Sequence, residues 1–124
     1  MIKLVFCLRR RADLSREEFQ RHWRETHAPL VRERGSALAI RRYVQVHTLP
    51  AGTSAALAAS RAVEEDEYDG VAELWWDSAE SLAAAVSTPE GQRAGAELLE
   101  DERRFIDLAR SPIFLAEEHV VVDG

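Results

Sequence analysis

The hydrophobic and polar positions of this chain repeat with two different periods, and these periods predict its elements. A period of two, typical of β-strands, marks three of the four segments predicted as strands, and a period near 3.6, typical of helices, marks the segments between strands. The predicted strands cover residues 2–9, 38–49, 68–77 and 113–122. The predicted main elements therefore follow the order strand, helix, strand, strand, helix, strand.

The first helix has a start signal and a stop signal. Ser15 is followed three residues later by Glu18, a capping box that predicts a helix from about residue 16. Pro29 disfavours helical geometry at the residue before it, so we expect the regular helix to end near His27. Phe19 and Trp23 fall on the stripe that should face the sheet.

Two further start signals precede the last strand. Asp77 and Glu80 have capping-box spacing, and Thr88 followed by Pro89 places a proline in a first helical turn. The second of these helices should continue to the last predicted strand, with a possible break at Gly95.

The element order predicts one α+β domain over residues 1–124 with the ferredoxin-like βαββαβ pattern, in which a four-stranded antiparallel sheet carries helices on one face. Residues 51–67 form an insertion with a short helix at about 53–62 and an acidic tip. The first strand is mostly apolar on both faces, so the second face should be covered as well. We expect two subunits to pack sheet to sheet.

Composition narrows the class of protein. The 22 acidic residues outnumber the 16 basic ones, giving a net charge of −6, whereas nucleic-acid binders usually have a basic surplus. The sequence has no apolar run long enough for a transmembrane helix, and its N-terminus lacks the order of a secretory signal. The single cysteine, Cys7, cannot form an internal disulfide. Together these features predict a cytoplasmic protein that binds neither nucleic acid nor membrane.

Five segments in sequence resemble the EthD family of the dimeric α+β barrel superfamily: MIKLVFCLRRRADLSREEFQRHWRETHAPLV, RRYVQVH, YDGVAELWWDS, TPEGQRA and SPIFLAEEHVVV. The resemblance implies a homodimer whose two sheets close into a barrel, with a pocket between sheet and helices in each subunit. It also implies chemistry without a cofactor on small aromatic or polyketide-like molecules. The superfamily includes cyclases, an isomerase, cofactor-free monooxygenases and haem proteins, so the fold alone does not select the reaction.

His27 is the first candidate acid or base. A helix end carries partial negative charge that favours the imidazolium form, and an imidazole titrates near neutrality. The family's His–x–Pro pattern is matched by His27, Ala28 and Pro29. The alternative is a histidine that only caps the helix and packs beside Trp23. His22 lies about 140° around the helix from His27, so we expect the two not to pair and His22 to have no chemical role.

Tyr43, Gln45 and His47 alternate on one face of the second strand. A covered row of polar side chains needs hydrogen-bond partners. The row either lines a pocket or hydrogen-bonds across the dimer. In the pocket, His47 would be a second acid or base, Tyr43 a hydroxyl donor and Gln45 an orienting group.

Glu73 stands in the middle of an apolar strand, where a carboxylate is costly unless it is paired or protonated. It is either a catalytic base beside His27 or His47, or half of an ion pair with Arg41 or Arg42. Trp75 shares its face and is, with Trp23, the tryptophan expected to contact a substrate.

Two functions from different classes remain open. The first is a cofactor-independent enzyme in which His27, His47 and Glu73 move protons during cyclisation, dehydration, isomerisation or decarboxylation, with an oxygenase variant. The second is a non-catalytic dimer that binds a small molecule or accompanies a monooxygenase system. No metal or cofactor is predicted, because the sequence lacks the motifs that bind them.

Overall fold

A four-stranded antiparallel sheet organises the chain, and it confirms the predicted ferredoxin-like α+β fold. The computed structural model describes residues 1–124. The strands are β1 (Ile2–Leu8), β2 (Arg42–His47), β3 (Gly70–Trp76) and β4 (Ile113–Ala116). Their spatial order is β2-β3-β1-β4, so β1 and β3 are the central pair.

The helices connect the strands. They comprise α1 (Arg16–His22), a π-helical turn (Trp23–His27), α2 (Ala28–Arg34), α3 (Ala55–Ser60), α4 (Ala79–Ala85), α5 (Pro89–Phe105) and a 3₁₀ turn (Leu108–Arg110). The predicted capping box at α1 is confirmed, because the Ser15 hydroxyl accepts from the Glu18 N–H and the Glu18 carboxylate accepts from the Ser15 N–H. None of these helices could cross a lipid bilayer.

The prediction that the first helix ends near His27 is wrong, because the chain stays helical through Pro29 to Arg34. The reason is the π turn, in which the Ala28 N–H donates to the carbonyl of Trp23, five residues back. A proline lacks an N–H and its ring crowds the preceding turn of an α-helix. A turn widened by one residue accommodates that ring without ending the helix.

The last two helices also differ from the sequence prediction. Ser78, not Asp77, caps α4, and its hydroxyl accepts from the Ser81 N–H. Helix α5 runs unbroken past Gly95 and ends at Phe105, because the chain turns there into an extended residue. Thr88 caps α5 as predicted.

The main core lies between the sheet and the helices. Leu8 of β1 and Ala72 of β3 pack against Phe19, Trp23 and Phe105, all almost completely buried. Because strand side chains alternate, the same face of the sheet carries the even-numbered residues of β1 and β3 and the odd-numbered residues of β2. On the opposite, outer face, Val46 is 43% and Phe114 is 50% exposed.

Candidate functional site

One buried carboxylate on α5 joins two histidines from the first helix. His27 Nδ1 lies 2.8 Å from Asp101 Oδ2, and both side chains are at most 7% exposed. His22 Nε2 lies 3.1 Å from Asp101 Oδ1. Arg104, one turn further along α5, donates to the same oxygen at 3.2 Å. Asp101 is therefore the centre of the polar cluster beneath the π turn.

The expectation that His22 and His27 point apart was wrong, and the π turn explains why. On an α-helix, two residues five positions apart lie on different faces. In a π turn the hydrogen bond joins residues i and i+5, so residues five positions apart lie closer to the same face. The two imidazoles therefore come close enough to share Asp101. The supposed helix end at His27, and the negative end charge expected to favour its imidazolium, are absent.

The protonation states of this pair follow from burial and hydrogen bonding. Burial lowers the pKa of His27, and the attraction of Asp101 offsets only part of that effect. Burial disfavours the charged form of Asp101, but the hydrogen bonds from His27 and His22 outweigh it and lower the pKa of Asp101. Near neutral pH a carboxylate thus accepts from the Nδ1–H of a neutral His27, which leaves Nε2 as a proton acceptor.

A cavity of about 50 Å³ lies between the sheet and the helices, next to His27. Its two charged or titrating side chains near neutrality are His27 and Glu102, and Trp23 and Tyr43 contribute further polar atoms. The remaining lining is apolar and consists of Phe6, Leu8, Val31, Ala72, Leu74, Leu98 and Ile106. A water-excluding wall of this kind strengthens the electrostatic interactions of the few polar groups inside.

Glu102, next to Asp101 on α5, is a site residue that the sequence analysis missed. Burial, and to a lesser extent the negative charge of Asp101, raise the pKa of Glu102 to about 7. Its carboxyl group makes no hydrogen bond, although every fully buried side-chain nitrogen and oxygen in the structure has a partner. The Glu102 oxygens are therefore not fully buried, and Glu102 is one of the residues that line the cavity.

The polar row on β2 faces the helices and is linked by hydrogen bonds within the subunit. Gln45 Nε2 donates to Tyr43 Oη and to the Trp23 carbonyl, each at 2.9 Å. His47 Nε2 donates to Gln45 Oε1 at 2.8 Å, and its ring stacks on Trp23 with centroids 4.4 Å apart. Only Tyr43 of this row lines the cavity, and burial raises the pKa of its hydroxyl. His47 is thus held beside Trp23 rather than beside His27.

The predicted pairing of Glu73 with His27 or His47 is wrong, because Glu73 lies on the outer face of the sheet. It forms an ion pair with Lys3 of the neighbouring strand, instead of with Arg41 or Arg42. The odd-numbered residues of β3 all point away from the helices, since side chains alternate along a strand.

Trp75 lies on the same outer face as Glu73 and not in the cavity. Its ring packs beneath Lys3 and Arg42, and its indole N–H donates to Glu118 at 2.6 Å. Trp23, by contrast, lines the cavity as expected. Of the predicted site residues, the structure therefore brings together His27, Tyr43 and Trp23, and it adds Asp101 and Glu102.

A larger surface depression of about 380 Å³ lies around the end of β1. Its buried carboxylate is already paired, because Asp69 binds Arg10 at 2.7 Å and Arg16 at 3.1 Å. Because Asp69 is neutralised by two arginines, whereas the cavity at His27 holds a carboxyl group with a strongly raised pKa, the smaller cavity is the better candidate for chemistry.

Comparison with known proteins places this chain in a family. The sequence profile of the EthD domain matches residues 11–109. A search of curated protein sequences found no match. Solved structures with a similar fold include an EthD family protein from Bacillus halodurans, with 24% identity, a TM-score of 0.62 and coverage of 96% of this chain and 99% of that one.

Two other solved structures share the fold. An EthD-like protein from Ralstonia eutropha has 21% identity, a TM-score of 0.61 and coverage of 99% of this chain and 95% of that one. SnoaB from Streptomyces nogalater, described as a cofactor-independent oxygenase, has 13% identity, a TM-score of 0.53 and coverage of 99% and 97%. The profile match extends over most of the sequence and includes the π turn, Asp101 and Glu102, and on this basis the chain belongs to the EthD domain family.

Proposed function

We propose that this protein is a cofactor-independent enzyme that moves protons on a small aromatic or polyketide-like molecule. The observation that supports the proposal best is the hydrogen bond between buried Asp101 and His27 Nδ1, at the wall of an apolar cavity. A carboxylate that holds one tautomer of an imidazole is a common arrangement for a general base. This arrangement replaces the His–Glu73 pair expected from the sequence.

The proposed first step is removal of a proton from a carbon next to a carbonyl group. His27 Nε2 accepts the proton, and Asp101 stabilises the imidazolium that results. The electron pair of the broken C–H bond forms an enolate, whose oxygen accepts a hydrogen bond from the Tyr43 hydroxyl. Cyclisation, dehydration and isomerisation can proceed from such an enolate, and a decarboxylation can produce one.

The size of the cavity bears on how a substrate binds. A cavity of about 50 Å³ holds one or a few water molecules, whereas a cavity that binds benzene measures about 150 Å³. An adjoining surface cleft of about 400 Å³ shares Val31 and Tyr43 with the cavity. We propose that these two side chains shift when a substrate binds, so that its ring occupies both spaces.

Similarity to SnoaB supports chemistry without a cofactor but does not select the reaction. That protein is described as a cofactor-independent oxygenase. An oxygenase reaction would share the proposed first step, because a substrate carbanion can itself reduce oxygen. His47 and Glu73 are not part of this proposal, and a cytoplasmic location stays a prediction from the sequence.

We also propose a homodimer formed through the outer face of the sheet. That face is mostly apolar and carries Val5, Val44, Val46, Val71 and Phe114. Phe114 is 50% exposed in the single chain. The Lys3–Glu73 ion pair on this face can be covered without leaving an unpaired charge. EthD resemblance and an uncovered apolar sheet face together support the sheet-to-sheet arrangement.

A proton-exchange assay tests the proposed function. 2-Tetralone, an aromatic ketone with acidic protons next to its carbonyl, is incubated with the protein in D₂O, and deuterium uptake is followed by NMR. We expect exchange above the buffer rate, and a loss of about 100-fold in His27→Ala. His119→Ala is the matched control, because His119 is exposed and lies outside the cavity.

The same assay separates the two functional classes. Equal exchange in His27→Ala and the unchanged protein would contradict the catalytic role of His27. Exchange at the buffer rate in every sample would favour the alternative, a dimer that binds a small molecule or serves a monooxygenase system without catalysis. Asp101→Asn, which keeps the shape of the side chain, should slow exchange if Asp101 orients His27.

A further inference from the structure

Glu102 is the acidic residue that lines the cavity. Its side chain is largely buried, and its carboxyl group makes no hydrogen bond or ion pair. A carboxyl group in an apolar setting costs stability when it has neither a hydrogen bond nor an ion pair. An apolar residue such as leucine would fill this helical position next to Leu98 and Ile106 without that cost. The position of Glu102 therefore calls for a chemical explanation.

The groups around Glu102 favour its protonated form. Asp101 is adjacent on α5 and is kept negative by His22 and His27. Arg103, the other charged neighbour on α5, is exposed and acts only weakly in the opposite direction. From the facing elements come His27 and Tyr43, both neutral near pH 7. Burial and the nearby carboxylate therefore both oppose ionisation of Glu102.

We propose that Glu102 is a second catalytic residue of the cavity, a general acid that donates its proton to a substrate oxygen while His27 acts as the base. The proposal rests on the proposed function and deepens it. It assigns the substrate class as molecules that carry a carbonyl or hydroxyl oxygen beside an acidic C–H bond, because only such molecules can use both groups in one step.

The step balances in both of its forms. In enolisation, His27 Nε2 takes the proton from carbon, the C–H electron pair becomes the C=C bond, and the carbonyl π pair takes the proton of Glu102. In dehydration, the same C–H pair forms the C=C bond, while the C–O bond breaks and its electron pair takes the Glu102 proton and leaves as water. In both forms His27 ends protonated and Glu102 ionised, and proton exchange with solvent restores them.

The two groups suit simultaneous action at neutral pH. Burial lowers the pKa of His27, so the imidazole is present as the free base. Burial also raises the pKa of Glu102 to about 7, so a large fraction of its carboxyl groups still holds a proton. An acid and a base must both be in the reactive state for one step, and a site that separates their environments achieves this.

The first experiment measures Glu102 directly, without a substrate. Protein labelled with ¹³C at glutamate side-chain carboxyls is titrated by NMR, and one resonance should titrate near pH 7. That resonance should disappear in Glu102→Gln and persist in Glu100→Gln, the matched control on the exposed side of α5. Titration of Glu102 below about pH 5 would overturn the proposal, whatever the enzyme catalyses.

The second experiment uses 2-tetralone exchange as a function of pH. The rate in the unchanged protein should fall as pH rises above about 7, because the acid ionises. Glu102→Gln should lower the rate about 10-fold or more and remove that fall, whereas Glu100→Gln should change neither. A merely structural role for Glu102 would not move the pH profile.

The outcomes distinguish this proposal from the one it rests on. A wild-type rate and pH profile in Glu102→Gln, with His27→Ala inactive, would overturn the role of Glu102 alone. Exchange at the buffer rate in the unchanged protein would overturn the proposed function and this role together, even if Glu102 titrates near pH 7.

Discussion

At the scale of single residues, the site depends on the protonation states of neighbouring side chains on one turn of α5. Asp101 and Glu102 are adjacent carboxyl groups with opposite pKa shifts. Asp101 is ionised because two imidazoles and a guanidinium contact it. Glu102 still holds its proton in a large fraction of molecules at pH 7, because burial and the charge of Asp101 raise its pKa to about 7. Two carboxyl groups thus differ in protonation because their environments differ.

Glu102 should make the folded protein less stable at high pH. Its folded-state pKa of about 7 lies above that of an unfolded glutamate, so the folded chain binds this proton more tightly and loses the stabilisation as pH rises through 7. The effect of Glu102→Gln on the free energy of unfolding should therefore be more stabilising at pH 8 than at pH 5, by about 2 kcal/mol. Urea unfolding at both pH values measures this.

The control for this prediction is Glu100→Gln, whose side chain is exposed on the same helix. It should change the stability by similar amounts at both pH values. An equal pH dependence in Glu102→Gln and the unchanged protein would show that folding does not raise the pKa of Glu102.

At the scale of the elements, α5 positions both carboxyl groups, and its own position depends on a close contact at its start. A Cβ added at Gly91 would lie 1.9 Å from the Ala85 carbonyl oxygen of α4, a distance that backbone cannot accommodate without a shift. At Gly95, one turn later, an added Cβ would meet nothing within 4 Å. The packing of α5 on α4 therefore requires a glycine at position 91 but not at position 95.

Gly91→Ala should destabilise the protein by about 1–3 kcal/mol, because the clash separates α4 from α5. Gly95→Ala should stabilise it by about 0.5–1 kcal/mol, because alanine is the better helix former at an unhindered position. Thermal unfolding of the two variants provides the comparison. Destabilisation by Gly95→Ala, or tolerance of Gly91→Ala, would contradict the described packing of α4 on α5.

Much of this element structure was readable from the sequence, and the exceptions have physical causes. The Ser15–Glu18 capping box and the Thr88 cap are local signals, and both are confirmed. Pro29 predicts the end of a helix, but a proline can also be accommodated in a widened turn, and the chain adopts such a turn between Trp23 and His27.

The site was harder to predict than the fold. Strand alternation correctly placed Glu73 with Trp75, but both faces of the sheet are apolar, so the pattern could not identify the face that carries the helices. Asp101 and Glu102 lie in a helix rich in charged residues, and such a sequence is typical of a solvent-exposed helix surface. A helical projection of α5 would have placed both near buried Leu98 and Phe105, and that is the signal that could have found them.

At the scale of the whole molecule, the uncovered outer face of the sheet predicts self-association. The unchanged protein should have twice the chain mass of 14.0 kDa in light scattering coupled to size-exclusion chromatography. Phe114→Glu should shift it to the monomer, because a carboxylate would be buried in the interface. Leu57→Glu, on the exposed helix α3, should remain dimeric. A monomeric unchanged protein would contradict the sheet-to-sheet arrangement.

The central claim is that His27 is a neutral imidazole whose Nδ1–H is held by Asp101, leaving Nε2 free to accept a proton. Side-chain ¹⁵N NMR of His27 across pH 5 to 9 tests this most directly, with His27→Gln used to assign the signals. We predict a protonated Nδ1, an unprotonated Nε2 at pH 7, and a midpoint below the usual histidine value of about 6.5. A doubly protonated ring at pH 7, or a proton on Nε2 instead of Nδ1, would contradict it.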